Sequence, residues 1–571
     1  MGARSPQALL LEESASPPPA PPARGRGEEK VGGEKNLLGG MQDFELRVPR
    51  LIDHAAREHG GREIVSVWAD GRETRTTWAG IARDAKKLSQ ALEKLGCRPG
   101  DRIATLAMNH GRHLVAWYGA IGLGGVIHTI NPRLFDEQLI YIANHAEDRV
   151  LFYDRQFQPL VDRLKPHWTS IEHYVVFDPD ESEGDGPDGF EALIAPENGD
   201  YAWVEGSERD PCMLCYTSGT TGNPKGVLYE HRSTVIHAMA EVAPWLFNLS
   251  ARSVILPVVP MFHAAAWGLP FAGALAGAKF VFSTVNDPVI ICRLMNDEKV
   301  THSAGVPTVW LSMFQHMDAT GEEPRYLQQV TIGGSAAPRA MIERIMGMGV
   351  TVKHLWGMTE TSPIGTAGAP PPHWDEMTLE EQLDHVSKQG QIPFGIELRV
   401  LDDNDVEQPR DGVSSGRLQV RGPWVLKRYF KAEADAVAPD GWFDTGDVAV
   451  LHPDGTMQIT DRAKDVIKSG GEWISSVDLE NAAIGCAGVG EAAAIGVYHP
   501  KWDERPILLV VRKPGSAVTP EEITAYLAKH VAKWWLPDEI VFVDELPHTA
   551  TGKLLKTALR TQYKDYKLAA A

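Results

Sequence analysis

The spacing of apolar side chains changes repeatedly along the chain from about Leu51 onward. "TWAGIARDAKKLSQALEKLG" (77–96) carries them at helical spacing and stops at a glycine, which predicts an amphipathic helix with its stop signal. "DRIATLAM" follows as a short apolar strand, "HLVAWYGAIGLGGV" as a helix and "RVLFYD" as another strand. The alternation continues through "SVILPVVP", "AKFVFS", "QQVTIGG" and "TVKHLWG". Strands and helices in this rhythm predict an α/β fold, with parallel sheets covered by helices. Ligands of such sheets gather at the carboxyl ends of strands.

After about Asp461 the character changes. "SSVDLENAAIG" predicts a helix, "VGEAAAIGVYHP" and "RPILLVVRK" predict strands, and "TPEEITAYLAKHVAKWWLP" predicts a helix opened by a threonine cap and a proline. The expected organisation is a tail at 1–40, a large N-terminal α/β region of helix-covered sheets at 41–460, and a small mobile C-terminal α+β domain at 461–571. "GDGPDGF" (184–190) reads as a surface loop, and 370–390 as an insertion carrying a short amphipathic helix. The first forty residues are rich in proline, glycine and charge, a composition that predicts disorder. Met41 offers a second candidate start.

Composition narrows the function classes. In 571 residues, more than one core usually supports, the formal net charge is −20, which argues against a general nucleic-acid binder. No apolar run reaches the ~20 residues of a membrane helix, and "ALLLEE" near the start is too short and acidic for a signal-peptide core. The five cysteines form no dense framework. Cys212 and Cys215 make a C-x-x-C without a second pair, inside an apolar run, and read as buried strand residues. A cytoplasmic, reducing location is the expectation.

The densest chemical signal is "YTSGTTGNPKGV" (216–227). Its glycines Gly219 and Gly222 free the backbone to wrap an anion, the hydroxyls of Thr217, Ser218, Thr220 and Thr221 add donors, and Lys225 adds a point charge. A Walker A loop would place a hydroxyl directly after the lysine, where this chain has Gly226. A plain surface loop is the bland alternative. The stretch resembles the signature loop of the adenylate-forming superfamily: acyl-CoA synthetases, luciferases and adenylation domains of peptide synthetases. There it holds the β- and γ-phosphates of ATP as pyrophosphate forms.

Further segments carry the same resemblance, in the family's order, over about 41–556. In "WGMTETSP" (356–363), Thr359 matches the threonine that touches the α-phosphate and Glu360 the glutamate that binds Mg2+; Thr217 would be the second metal-side group. Trp356 stands where many members have a tyrosine, and an indole can stack on adenine as a phenol does. Gly357 follows it. "GGSAAP" (333–338) matches the segment lining adenine and acyl chain, through Gly333, Gly334, Ser335 and Ala336. In "DGWFDTGD" (440–447) and "TDRAKDVIKSGGEWIS" (460–475), Asp447 and Arg462 match the ribose partners, Lys464 the hinge, and Lys468 and Trp473 groups that approach the nucleotide. "LPHTATGKLLK" (546–556) matches the C-terminal catalytic segment, in which Lys553 would reach the carboxylate and α-phosphate.

The resemblance implies a two-step ligase. ATP and a carboxylic acid give acyl-AMP and pyrophosphate with Mg2+, and CoA then takes the acyl group after the small domain turns at Lys464. The acid's identity has to come from "VVPMFHAAAWGLPFAGALAGA" (258–278). His263 falls beside the expected carboxylate position, and Trp267 resembles the gating tryptophan of a bacterial long-chain synthetase. Ala264, Ala265, Ala266, Gly268 and Gly273 are small enough for a channel, or alternatively belong to a tightly packed helix. No charge here greets a polar tail, which favours a medium- to long-chain fatty acid. A short thioether acid, 3-methylmercaptopropionate, is the second substrate reading. A carrier-loading adenylation enzyme is the third reading, weakened because the segment after Lys553 is too short for a carrier. A homodimer is expected only by analogy.

Overall fold

The computed structural model describes residues 40–178, 189–217, 223–470, 472–548 and 554–568. All but the last residue of the proposed tail, most of the 184–190 loop, Ser218 to Gly222 and Lys553 lie outside the described residues. The chain divides into two units, Met1–Phe44 and Glu45–Ala571, and the helices and strands among the described residues belong to the second.

Two sheets build the large region. One has six strands in the order His173–Val176, Asp148–Tyr153, Arg102–Leu106, Val126–Thr129, Pro211–Tyr216 and Gly226–Glu230. Its strands run parallel except for the last pair, an antiparallel hairpin that pairs Tyr216 with Gly226. The strands on either side of the Gly-rich segment thus pair antiparallel, whereas a Walker A loop leads from a strand into a helix. A thirteen-stranded sheet has a parallel half that includes Gln329–Ile332 and Thr351–Gly357. Its antiparallel half includes Ile364–Ala367, Phe443–Leu451 and Thr456–Arg462.

The helices follow the apolar period. Trp78–Lys94 is capped by Thr77, whose hydroxyl accepts from the Gly80 N–H, and buries Ile81, Ala85, Leu88 and Leu92. Gly96, with φ +87°, turns the chain out of it. Gly111–Gly122 is buried along its length except at Arg112, and from Leu114 onward it reads apolar on all sides. The expected helix in 370–390 is Leu379–Ser387, closed by a Thr378–Glu381 capping box.

The C-terminal part has its own sheet of Ile467–Ser469, Glu472–Ile474, Val489–His499, Asp503–Arg512 and Glu539–Phe542. Ile467, Leu479, Ala494, Leu508, Ile523 and Leu527 belong to its core. The predicted helix from Thr519 is shorter than its pattern: it ends at Leu527, and the Nδ1–H of His530 donates to the Tyr526 carbonyl. Val531 and Trp535, the latter in the 3-10 turn Lys533–Trp535, then pack back on the core, where their apolar spacing imitates a continuing α-helix.

Cys212 and Cys215 are buried in the strand leading to the Gly-rich turn. Burial raises their thiols to about 12 and about 11, so they are inert packing groups there.

Candidate active site

The sequence motifs converge where the hairpin, the strand Thr351–Gly357 and the strands around Asp447 meet. Thr217 and Lys225 close the base of the hairpin turn: the Thr217 N–H donates to the Lys225 carbonyl at 2.9 Å, and the Lys225 N–H donates to Thr217 Oγ1 at 3.2 Å. Five intervening positions assigned to the phosphates fall outside the described residues.

Glu360 is 8% exposed and lies in a single 3-10 turn, Thr359–Thr361. Gly357 permits that turn, since a Cβ there would sit 1.8 Å from the Pro363 carbonyl oxygen. The Tyr229 hydroxyl donates to the Thr359 carbonyl at 2.7 Å, and the Leu426 N–H donates to the Glu360 carbonyl at 2.7 Å. The Glu360 carboxylate accepts from the Tyr429 hydroxyl at 2.8 Å. No lysine or arginine pairs with it among the described residues. A buried carboxylate without a protein cation suits a hard divalent metal.

Nothing in the sequence pattern marks Tyr429. Its ring also carries the Lys225 ammonium 4.9 Å from its centroid, and the neighbouring Phe430 N–H donates to the Gly226 carbonyl at 2.8 Å. Trp424, in the same segment, donates from Nε1 to the Ile364 carbonyl at 2.9 Å. The segment 424–430 thereby joins the hairpin to the Glu360 turn.

Asp447 is buried, with both oxygens engaged. Trp356 Nε1 donates to Oδ2 at 2.8 Å, and Arg462 pairs with Oδ1 at 3.0 Å. Gly446, at φ +71°, bends the strand before it, and the Gly446 carbonyl accepts from the Ala463 N–H, tying this strand to the turn that bears Lys464. The Trp356 ring is 7% exposed and packs against Gly365, so its observed contact with the site is through its N–H edge. Lys464 is exposed along its stem, and partial burial of its ammonium holds that group below the ordinary lysine range. Lys468 is exposed and pairs with Trp473 across the hairpin backbone, the Trp473 side chain lying outside the description.

Gly333, Gly334, Ser335 and Ala336 follow the strand Gln329–Ile332. Gly333 packs against Leu355, 2.4 Å from where its Cβ would be, and Gly334 turns at φ +82°. Behind them His354 accepts the Ala337 N–H on Nε2 at 3.3 Å and donates from Nδ1 to the Ser387 carbonyl at 3.1 Å.

A cavity of about 210 Å³ opens beside His263. Val258, Phe262, Ile291, Val306 and Met313 give it an apolar wall, with Arg133 also in the lining. The expected channel around Trp267 is corrected in part. Gly273 is packed against Phe280 and Gly268 against the Glu241 carboxylate, so these two glycines accommodate neighbours and do not border an opening. Trp267 is 3% exposed, within a run from Ala264 to Trp267 that has positive φ throughout.

A buried network joins the C-terminal part to the strand Thr456–Arg462. Ser476 donates from N and Oγ to Asp461, and Lys556 Nζ donates to Ser476 Oγ at 2.6 Å while pairing with Glu480 at 2.7 Å. These charges are nearly inaccessible, and pairing holds the Lys556 ammonium above its ordinary range in spite of burial.

Comparison with known proteins agrees with this geometry. Residues 52–430 match the AMP-binding enzyme family, and residues 478–553 match the AMP-binding enzyme C-terminal domain. The chain belongs to the AMP-binding enzyme family. Among its relatives, the 3-methylmercaptopropionyl-CoA ligase of Ruegeria lacuscaerulensis is 47% identical over 535 residues, 93% of this chain and 99% of that one. The medium-chain-fatty-acid–CoA ligase of Ectopseudomonas oleovorans is 45% identical, covering 93% of this chain and 98% of that one. The anthranilate CoA ligase AuaEII, solved with anthranoyl-AMP, shares the fold with a TM-score of 0.81 at 24% identity, over 91% of this chain and 98% of that one. As an AMP-binding enzyme, the chain thus carries both family regions along one continuous polypeptide.

Proposed function

We propose that this AMP-forming acyl-CoA ligase activates an apolar carboxylic acid, a medium- to long-chain fatty acid, through an acyl-AMP intermediate. The observation that carries the reading is the largely apolar cavity beside His263, which follows the strand Val254–Pro257 in the same sheet as Gln329–Ile332 and Thr351–Gly357. The 45% identical medium-chain ligase supports the same class.

In the first step the carboxylate attacks the α-phosphate of ATP and pyrophosphate leaves. Thr359 donates to the α-phosphate, the Thr217–Lys225 loop takes the departing phosphates, and Lys553 brings a mobile positive charge to the attacking and receiving oxygens. Asp447 accepts from the ribose hydroxyls. Arg462 and Lys468 add positive charge near the nucleotide, and Trp356 and Trp473 border it. Glu360, with Thr217, would hold Mg2+, which supplies positive charge against the repulsion between the two anions. In the second step the C-terminal domain turns at Lys464, withdraws Lys553 and admits the CoA thiol, which attacks the acyl carbonyl as AMP leaves. The protein acts as a cytoplasmic homodimer in this proposal; no described helix is long and apolar enough to cross a membrane.

A short thioether acid is the second reading, favoured by the 47% identity to a 3-methylmercaptopropionyl-CoA ligase. CoA-dependent AMP formation across short, medium and long fatty acids and 3-methylmercaptopropionate separates the two. A maximum at medium or long chains supports the first; a maximum at the thioether acid replaces it with the second.

A further inference from the structure

We propose that Tyr429 is a positioning residue that orients the Glu360 carboxylate and the Lys225 ammonium together, so that the metal-side and phosphate-side groups are set by one ring. The inference rests on the proposed function only in taking Glu360 and Lys225 as nucleotide-side groups.

Three contacts support it. The phenol donates to Glu360 Oε1 at 2.8 Å, the ring face receives Lys225 Nζ at 4.9 Å from its centroid, and the Phe430 N–H fixes the same segment to Gly226 at 2.8 Å. The Leu426 N–H on the Glu360 carbonyl fixes the other end. A carboxylate only accepts, so the phenol is the donor in this contact. A donor on one carboxylate oxygen fixes the carboxylate's rotation and leaves the remaining lone pairs for a cation. Lys225 is exposed and has no carboxylate partner among the described residues, so the aromatic face is what restrains an otherwise mobile stem. A single side chain therefore replaces two separate restraints.

Two variants divide the roles. Tyr429→Phe keeps the ring and removes the hydroxyl; Tyr429→Leu removes both. ATP is titrated calorimetrically into the full chain with and without Mg2+, without acid or turnover. In Tyr429→Phe the tightening of ATP binding by Mg2+ should fall by about tenfold, the scale of a hydrogen bond to a charged group, with metal-free ATP affinity unchanged. Tyr429→Leu should also weaken metal-free ATP binding, by about threefold. Mg2+ dependence in Tyr429→Phe equal to that of the parent overturns the proposal. Should Tyr429→Phe lose thermal stability, the comparison of Glu360→Gln with the Glu360→Gln/Tyr429→Phe pair decides: no further loss of Mg2+ dependence supports action through Glu360, and an additional loss overturns it. A chain that forms no AMP with any acid would refute the proposed function, while the binding titration would still test Tyr429 independently.

Discussion

The indole N–H of Trp356 donates to the carboxylate of Asp447 at 2.8 Å, across 91 positions of sequence. The contact joins the parallel half of the large sheet to its antiparallel half, because Trp356 ends one strand and Asp447 lies in another. With Arg462 on the other oxygen, the carboxylate is held from both sides.

Trp356→Phe keeps an aromatic ring and removes that donor. The KM for ATP should rise by about tenfold, from loss of a hydrogen bond to a charged group, with a smaller effect on kcat. Steady-state kinetics over ATP concentration checks this, and an unchanged KM would separate Trp356 from nucleotide positioning.

Acid should destabilise the fold through its buried histidines. Burial lowers His113 and His231 to about 3, and His302 and His354 to about 4, from the ordinary 6.5. Their folded-state values are depressed, so below 6.5 the unfolded chain binds more protons than the native one. Stability is retained above 6.5 and lost as pH falls from 6.5 toward 4 and 3. At pH 5.5 each such group removes about 1.4 kcal/mol relative to neutral pH. Urea midpoints at pH 7.5 and 5.5 should show the loss, and His354→Gln should reduce it.

Lys556→Met should be strongly destabilising, by roughly 3–5 kcal/mol, because it leaves Glu480 and Asp461 buried without their cation. The double variant Lys556→Met/Glu480→Leu should recover part of that loss. Chemical denaturation of the three proteins measures both effects; equal stability of Lys556→Met and parent would contradict the network's role.

The strands and the order of the motifs were legible because apolar runs and fixed-spacing polar residues are local signals. Thr359, Glu360, Asp447 and Arg462 lie in or beside strands that end the α/β rhythm and its antiparallel extension. Tyr429 was not legible: its partner Glu360 is 69 positions away, and "LKRYF" carries no glycine or hydroxyl pattern to mark it. The packing of 264–273 was hidden for a related reason. A glycine states that a side chain is missing, and only the fold states that Phe280 or Glu241 fills the space. No local pattern marks Lys556 either, because its acidic partners come from two distant elements.

Adenylation of an acid, with Lys553 delivering the charge, is tested most directly by acid-dependent exchange of pyrophosphate into ATP. The exchange is measured in the parent and in Lys553→Ala, alongside calorimetric ATP binding. Expected are exchange in the parent, its loss in Lys553→Ala by roughly 2–4 kcal/mol of transition-state stabilisation, and ATP binding retained. Undiminished exchange in Lys553→Ala would contradict that role for the lysine.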